Sequence, residues 1–131
     1  MRTAIAAVLI ALGLVSSAFA QGLTAPSVWK NQRGSELDIT SVGADGTIVG
    51  TFTNNAAGFQ CRGTKFDVSG LVLTKGLFFA VAFGPCYSIV SWHGDVQGST
   101  MATTWELHHV VAADGTITTL TGADTFTLVP R

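Results

Sequence analysis

A chain of 131 residues that sets seven Lys and Arg against eight Asp and Glu carries a formal charge of −1, with no run of like charge anywhere. That balance excludes an electrostatic nucleic-acid surface or a polybasic hold on an anionic membrane. The length suits one domain built around one core.

Taken in chain order, residues 1–20 have the form of a secretory signal peptide. Arg2 supplies a charged start, Ala4–Val15 an apolar stretch and Ala18-Phe19-Ala20 a small-x-small cleavage site. The apolar stretch is too short to span a membrane. The expected mature domain is 21–131, secreted or periplasmic. Loss of Arg2 leaves six basic residues against eight acidic ones, a charge near −2.

Beyond residue 20 no segment keeps a 3.6-residue apolar period; short alternating runs separated by turn residues read as strands. Eight are predicted, over 27–32, 36–42, 47–54, 64–71, 77–83, 88–95, 100–110 and 117–129. Asp45-Gly46 and Asp114-Gly115 are strong hairpin turns, since both residue types tolerate positive φ. Successive strands with short connections predict an all-β fold: an eight-stranded antiparallel up-and-down β-barrel, closed so that no edge is exposed.

Residues two apart on a strand share a face. Trp29 then lies with Asn31, Phe52 with Asn54, and Phe79 with Val81 and Phe83. Ser88 joins Val90 and Trp92, Trp105 joins Leu107, and Asp124 joins Phe126 and Leu128. These aromatic-bearing faces point inward, and four of them carry one polar group: Asn31, Asn54, Ser88 and Asp124. Unpaired polar groups are costly in a core built for stability alone. A few of them converging on an apolar cavity is what a small-molecule site requires, and an eight-stranded barrel has room for one such ligand. The blander alternative is that each caps a strand end.

Cys61 and Cys86 are the only cysteines. In an exported chain an even pair is by default a disulfide, the alternative being two buried thiols. Two cysteines without nearby histidines are too few for a zinc site. Catalysis finds little support: Ser88 and His93 have opposite strand parity, so with Asp124 they cannot form a triad. His108 and His109 are adjacent and point apart, which disfavours a shared metal. No metal, cofactor or catalytic residue is expected. A small secreted disulfide-containing barrel that inhibits a protease would also suit this size, but it leaves the inward polar set unexplained.

The run Trp29-Lys30-Asn31-Gln32-Arg33-Gly34-Ser35, then Gly43-Ala44-Asp45-Gly46 and Gly50-Thr51-Phe52, resembles the avidin and streptavidin family. The resemblance continues through Ser88-Ile89-Val90-Ser91-Trp92, Thr104-Trp105-Glu106-Leu107 and Gly122-Ala123-Asp124-Thr125-Phe126, colinear over nearly all of 21–131. A cysteine after the third strand and another before the sixth resemble the dimeric, rhizavidin-like branch. The resemblance implies a non-catalytic protein that captures biotin. It assigns Asn31 and Ser35 as donors to the ureido oxygen, with Asp124 and Asn54 accepting from the ureido N–H groups. It assigns Phe83, Trp92 and Trp105 as walls, Phe79 and Leu107 behind them, and Ser88 as the hydroxyl for the valerate carboxylate. Three positions depart from the family pattern: Phe52 replaces a tyrosine, Val90 a threonine and Arg33 an apolar residue. Two lost hydrogen bonds imply an affinity lower by about one to three powers of ten. A relative that has drifted to another ligand is the remaining alternative. Tetrameric relatives borrow a tryptophan from a neighbouring subunit; Thr116 stands there in this chain, so the resemblance implies a homodimer with self-contained pockets.

Overall fold

The computed structural model describes residues 22–131, so the expected signal peptide lies outside the described residues. Eight strands follow one another: β1 Ser27–Asn31, β2 Glu36–Val42, β3 Thr47–Thr53, β4 Lys65–Leu73, β5 Gly76–Phe83, β6 Ser88–Gln97, β7 Thr100–Val110 and β8 Ile117–Leu128. Each pairs antiparallel with the next, and β8 returns to β1 through Trp29↔Leu128 and Asn31↔Phe126. The sheet closes on itself, as the alternation predicted, and no edge is left free. Strands β4 and β6 run two residues further than the sequence suggested. Val72 and Val96 keep the inward alternation going and are buried, so β4 runs on to Leu73, and Asp95 does not end β6, which runs on to Gln97.

The tight turns follow from local chemistry. The Asp45 carboxylate accepts from the Thr47 amide at 3.0 Å, with Gly46 at φ 85°. Asp114 accepts from the Thr116 amide at 3.0 Å in the same way. Those amides hold both carboxyls below the ordinary carboxylate range. A depressed folded value means the contribution is present above that range and lost as pH falls through it.

The inward faces make the core. Leu37, Met101, Phe79 and Phe126 are completely enclosed and fill the barrel beneath its mouth. Four loops ring that mouth: β1–β2, β3–β4, β5–β6 and β7–β8. The β3–β4 loop is the longest, and Cys61 in it is disulfide-bonded to Cys86 in the 3-10 turn Gly84–Cys86 before β6, with a Cα–Cα distance of 6.0 Å. Closing a loop of this length removes unfolded-state entropy worth about 3–4 kcal/mol. Cys61→Ser with Cys86→Ser is expected to lower stability by an amount of that order in a denaturant melt, and a midpoint that does not move would contradict the argument.

Candidate functional site

The cavity at the mouth begins with the β1–β2 turn. Asn31 ends β1, and its Oδ1 accepts from the Arg33 amide at 3.0 Å and the Ser35 amide at 2.9 Å. Gly34 sits at φ 81°, where a side chain would be strained. Two N–H donors fix which end of the Asn31 amide is oxygen. The NH2 group is therefore what Asn31 can offer a ligand. Ser35 Oγ accepts from the Asn55 amide at 2.9 Å, while Asn54 Oδ1 lies 3.5 Å away, too long for a good hydroxyl bond. The Ser35 proton remains available. Asn54 Oδ1 accepts from the Ala56 amide at 2.9 Å and keeps a second lone pair.

Opposite stands Asp124 on β8, only 4% exposed. Trp92 Nε1 donates to its Oδ2 at 2.9 Å; Gln32 Nε2 and Arg33 Nε donate to its Oδ1 at 2.9 and 3.2 Å. Thr103 Oγ1 donates to its backbone carbonyl and pins the strand there. Apolar walls complete the site. The Phe52 and Trp92 ring centroids are 4.7 Å apart, and Phe79 stacks on Trp92 at 4.8 Å and 10°. Trp105 lies over Gly122, its register partner on β8. A Cβ added there would meet the indole at 2.3 Å, so only glycine lets the ring lie flat.

Asn31, Ser35, Phe52, Asn54, Val90, Trp92, Trp105, Leu107 and Asp124 thus line one cavity of about 240 Å³. That is smaller than the usual range for drug-sized ligands, and it suits a compact ring. Three expected residues do not line this cavity. Phe79 and Phe83 point inward but are wholly enclosed behind the walls, Phe83 edge-on to Phe52 at 6.3 Å. Ser88 lines a neighbouring depression instead, with Phe59, Leu107 and His109. Its hydroxyl donates to the Cys86 carbonyl and meets His109 Nδ1, each at 3.0 Å. Because the Ser88 proton goes to that carbonyl, the His109 nitrogen must be the donor. That is the reverse of a nucleophile and its general base. His93 lies exposed on the outer face, hydrogen-bonded to Thr104. Among the described residues no group of three or more His, Cys, Asp or Glu is placed to hold a metal.

Sequence reasoning marked Arg33 only as a departure from the family pattern and gave Gln32 and Phe59 no role. Arg33 and Gln32 reach Asp124 from the β1–β2 turn, and Phe59 lines the cavity from the β3–β4 loop. Phe59 packs edge-on against Phe83 at 5.0 Å. The only available signal was a lone aromatic two residues before Cys61.

Comparison with known proteins follows the same lines. A sequence model of the avidin family matches residues 19–129. Afifavidin from Afifella pfennigii is 37% identical over 113 residues, which span 80% of this chain and 69% of that protein. The solved complex of bradavidin2 with biotin superposes with a TM-score of 0.76 at 48% identity, covering 82% of this chain and 99% of the other. The rhizavidin–biotin complex gives 0.73 at 30% identity, covering 82% and 94%.

Proposed function

This chain belongs to the avidin family, and from that premise we propose that its barrel is an exported trap that captures biotin and leaves it chemically unchanged. One observation carries the reading. Two donors, the Asn31 NH2 and the Ser35 hydroxyl, sit in one cavity with two acceptors, Asn54 Oδ1 and the Asp124 carboxylate. A cyclic urea presents the complement of that set: one accepting oxygen flanked by two N–H donors. Phe52, Val90, Trp92, Trp105 and Leu107 offer apolar walls to the rest of a bicyclic thioether. The donors are fixed by the turn and the sheet before ligand arrives, so little ordering entropy opposes binding.

Biotin titrated into the protein is expected to quench tryptophan fluorescence, since two of the three tryptophans line the cavity. A flat titration with the fold intact would leave a family member that binds something else. Phe52→Tyr is expected to tighten binding by up to about tenfold, as one neutral hydrogen bond contributes about 0.5–1.5 kcal/mol. Unchanged or weaker binding would mean that the hydroxyl does not reach the ligand.

The same reading includes a homodimer with each pocket made by one chain. Thr116, held in its turn by Asp114, has no ring to lend a neighbour. Leu71 and Phe78 are register partners on the outer wall; both are about half exposed, as are Val49 and Leu73 nearby. An apolar face of that kind suits an isologous contact with a second copy. Light scattering is expected to give the mass of two chains, and a stable tetramer or a monomer would count against it. Secretion or periplasmic export rests on residues 1–20, and recovery of mature protein beginning near Gln21 outside the cytoplasm would test it.

A further inference from the structure

A pocket that holds a donor and an acceptor side by side can satisfy itself when it is empty. Ser35 offers a proton and Asn54 a lone pair, and the two oxygens stand 3.5 Å apart. An approach of about 0.7 Å would bring them to the usual O–H···O distance. Two consecutive backbone amides oppose it. The Asn55 N–H donates to Ser35 Oγ and the Ala56 N–H to Asn54 Oδ1, each at 2.9 Å. Each oxygen is therefore held by a different peptide group of one short segment, and where that segment sits decides how far apart they stay.

The side chain of Asn55 fixes that place. Its Nδ2 donates to the Gly34 carbonyl at 2.9 Å and so ties the β3–β4 loop to the backbone of the β1–β2 turn. The turn is held in its own right: the Gly34 N–H donates to the Asn31 carbonyl and the Asn31 N–H to the Ser35 carbonyl, each at 3.0 Å. From the far limb of the loop, Arg62 Nε donates to the Asn55 carbonyl at 3.1 Å and the Gly63 N–H to the Asn54 carbonyl at 2.9 Å. Those two bonds hold the loop to itself, whereas the Asn55 carboxamide holds it to the turn that carries Ser35. Asn55 does not line the cavity. We propose that Asn55 is a positioning residue: by tying the two mouth loops together it keeps the Ser35 hydroxyl and the Asn54 oxygen from pairing, so that both stay open to the two sides of a cyclic urea. Without its carboxamide the segment shifts, the Ser35 proton goes to Asn54 Oδ1, and an arriving ligand has to break that bond before it gains its own. The proposal rests on the biotin reading above and adds to it what keeps the polar set open.

Coupling between two substitutions tests this. Calorimetry would give the biotin affinity of the unaltered chain, Asn55→Ala, Ser35→Ala and the variant carrying both. Each single substitution is expected to weaken binding by about tenfold, the contribution of one neutral hydrogen bond. With Ser35→Ala in place there is no proton to divert, so adding Asn55→Ala should then cost about twofold or less. Asn55→Asp has the same size but no proton for the Gly34 carbonyl; it should match alanine, and it replaces alanine in the comparison if that variant does not fold. Equal losses from the Asn55 substitution with and without Ser35 would overturn the proposal, because a loop that is merely loosened does not depend on that hydroxyl. Unchanged affinity in a folded Asn55 variant would overturn it too, while leaving the biotin reading intact. Failure of the unaltered chain to bind biotin at all would remove that reading and the proposal together.

Discussion

Asp124→Ala is expected to weaken biotin binding by about ten- to a hundredfold, because a charge-assisted hydrogen bond left unpaired in a dry site costs about 1.5–3 kcal/mol. The effect extends beyond the ligand contact. Trp92 Nε1, Gln32 Nε2 and Arg33 Nε all donate to that carboxylate, and the Trp92 nitrogen is buried. With alanine in place the indole loses its acceptor and the arginine loses its anchor, so the wall and the turn loosen together. Asp124→Asn keeps an acceptor oxygen and should fall between the two. Calorimetry reads both variants. A dissociation constant unmoved in the alanine variant would put the binding site elsewhere.

The second large effect is expected from a residue that need not touch ligand. Gly122→Ala places a methyl 2.3 Å from Trp105 Cζ2 and 2.5 Å from Cε2. The indole is rigid and flanked by the sheet, so it has to tilt off β8. Over-packing of this kind costs about 1–3 kcal/mol, and here the movement goes into the cavity that the ring walls. Biotin affinity should drop by about tenfold or more, with a shift in tryptophan emission before any ligand is added. Retained affinity would show that Trp105 can be repositioned without consequence, and its role as a wall would fall.

How far the sequence reached follows from what strand parity can express. Alternation says which side of the barrel wall a residue faces, and it placed Asn31, Phe52, Trp92, Trp105 and Asp124 inward, where all five line one cavity. It says nothing about depth along the barrel axis. Ser88 shares a strand face with the lining residues Val90 and Trp92, and Phe79 and Phe83 face inward on β5, yet none of the three lines the cavity. Register decides that difference, and register depends on how turns and neighbouring strands align. The loops carry no period at all. Arg33, Gln32 and Phe59 come to the site through a glycine turn and a disulfide-tethered loop, and only the assembled barrel brings them to Asp124 and Phe83. Arg33 was visible as a departure from the family pattern; its partner was not.

The pairing of β8 with β1 carries a practical consequence. Strands β1, β3, β5 and β7 all run toward the mouth, and β8 runs away from it. Val28 and Val129 consequently meet at the floor of the barrel, where the Val129 amide donates to the Val28 carbonyl at 2.8 Å. Both routes by which another polypeptide could be appended leave from that floor, side by side. A cargo attached on either side would hang behind the barrel, leaving the ligand entrance unobstructed.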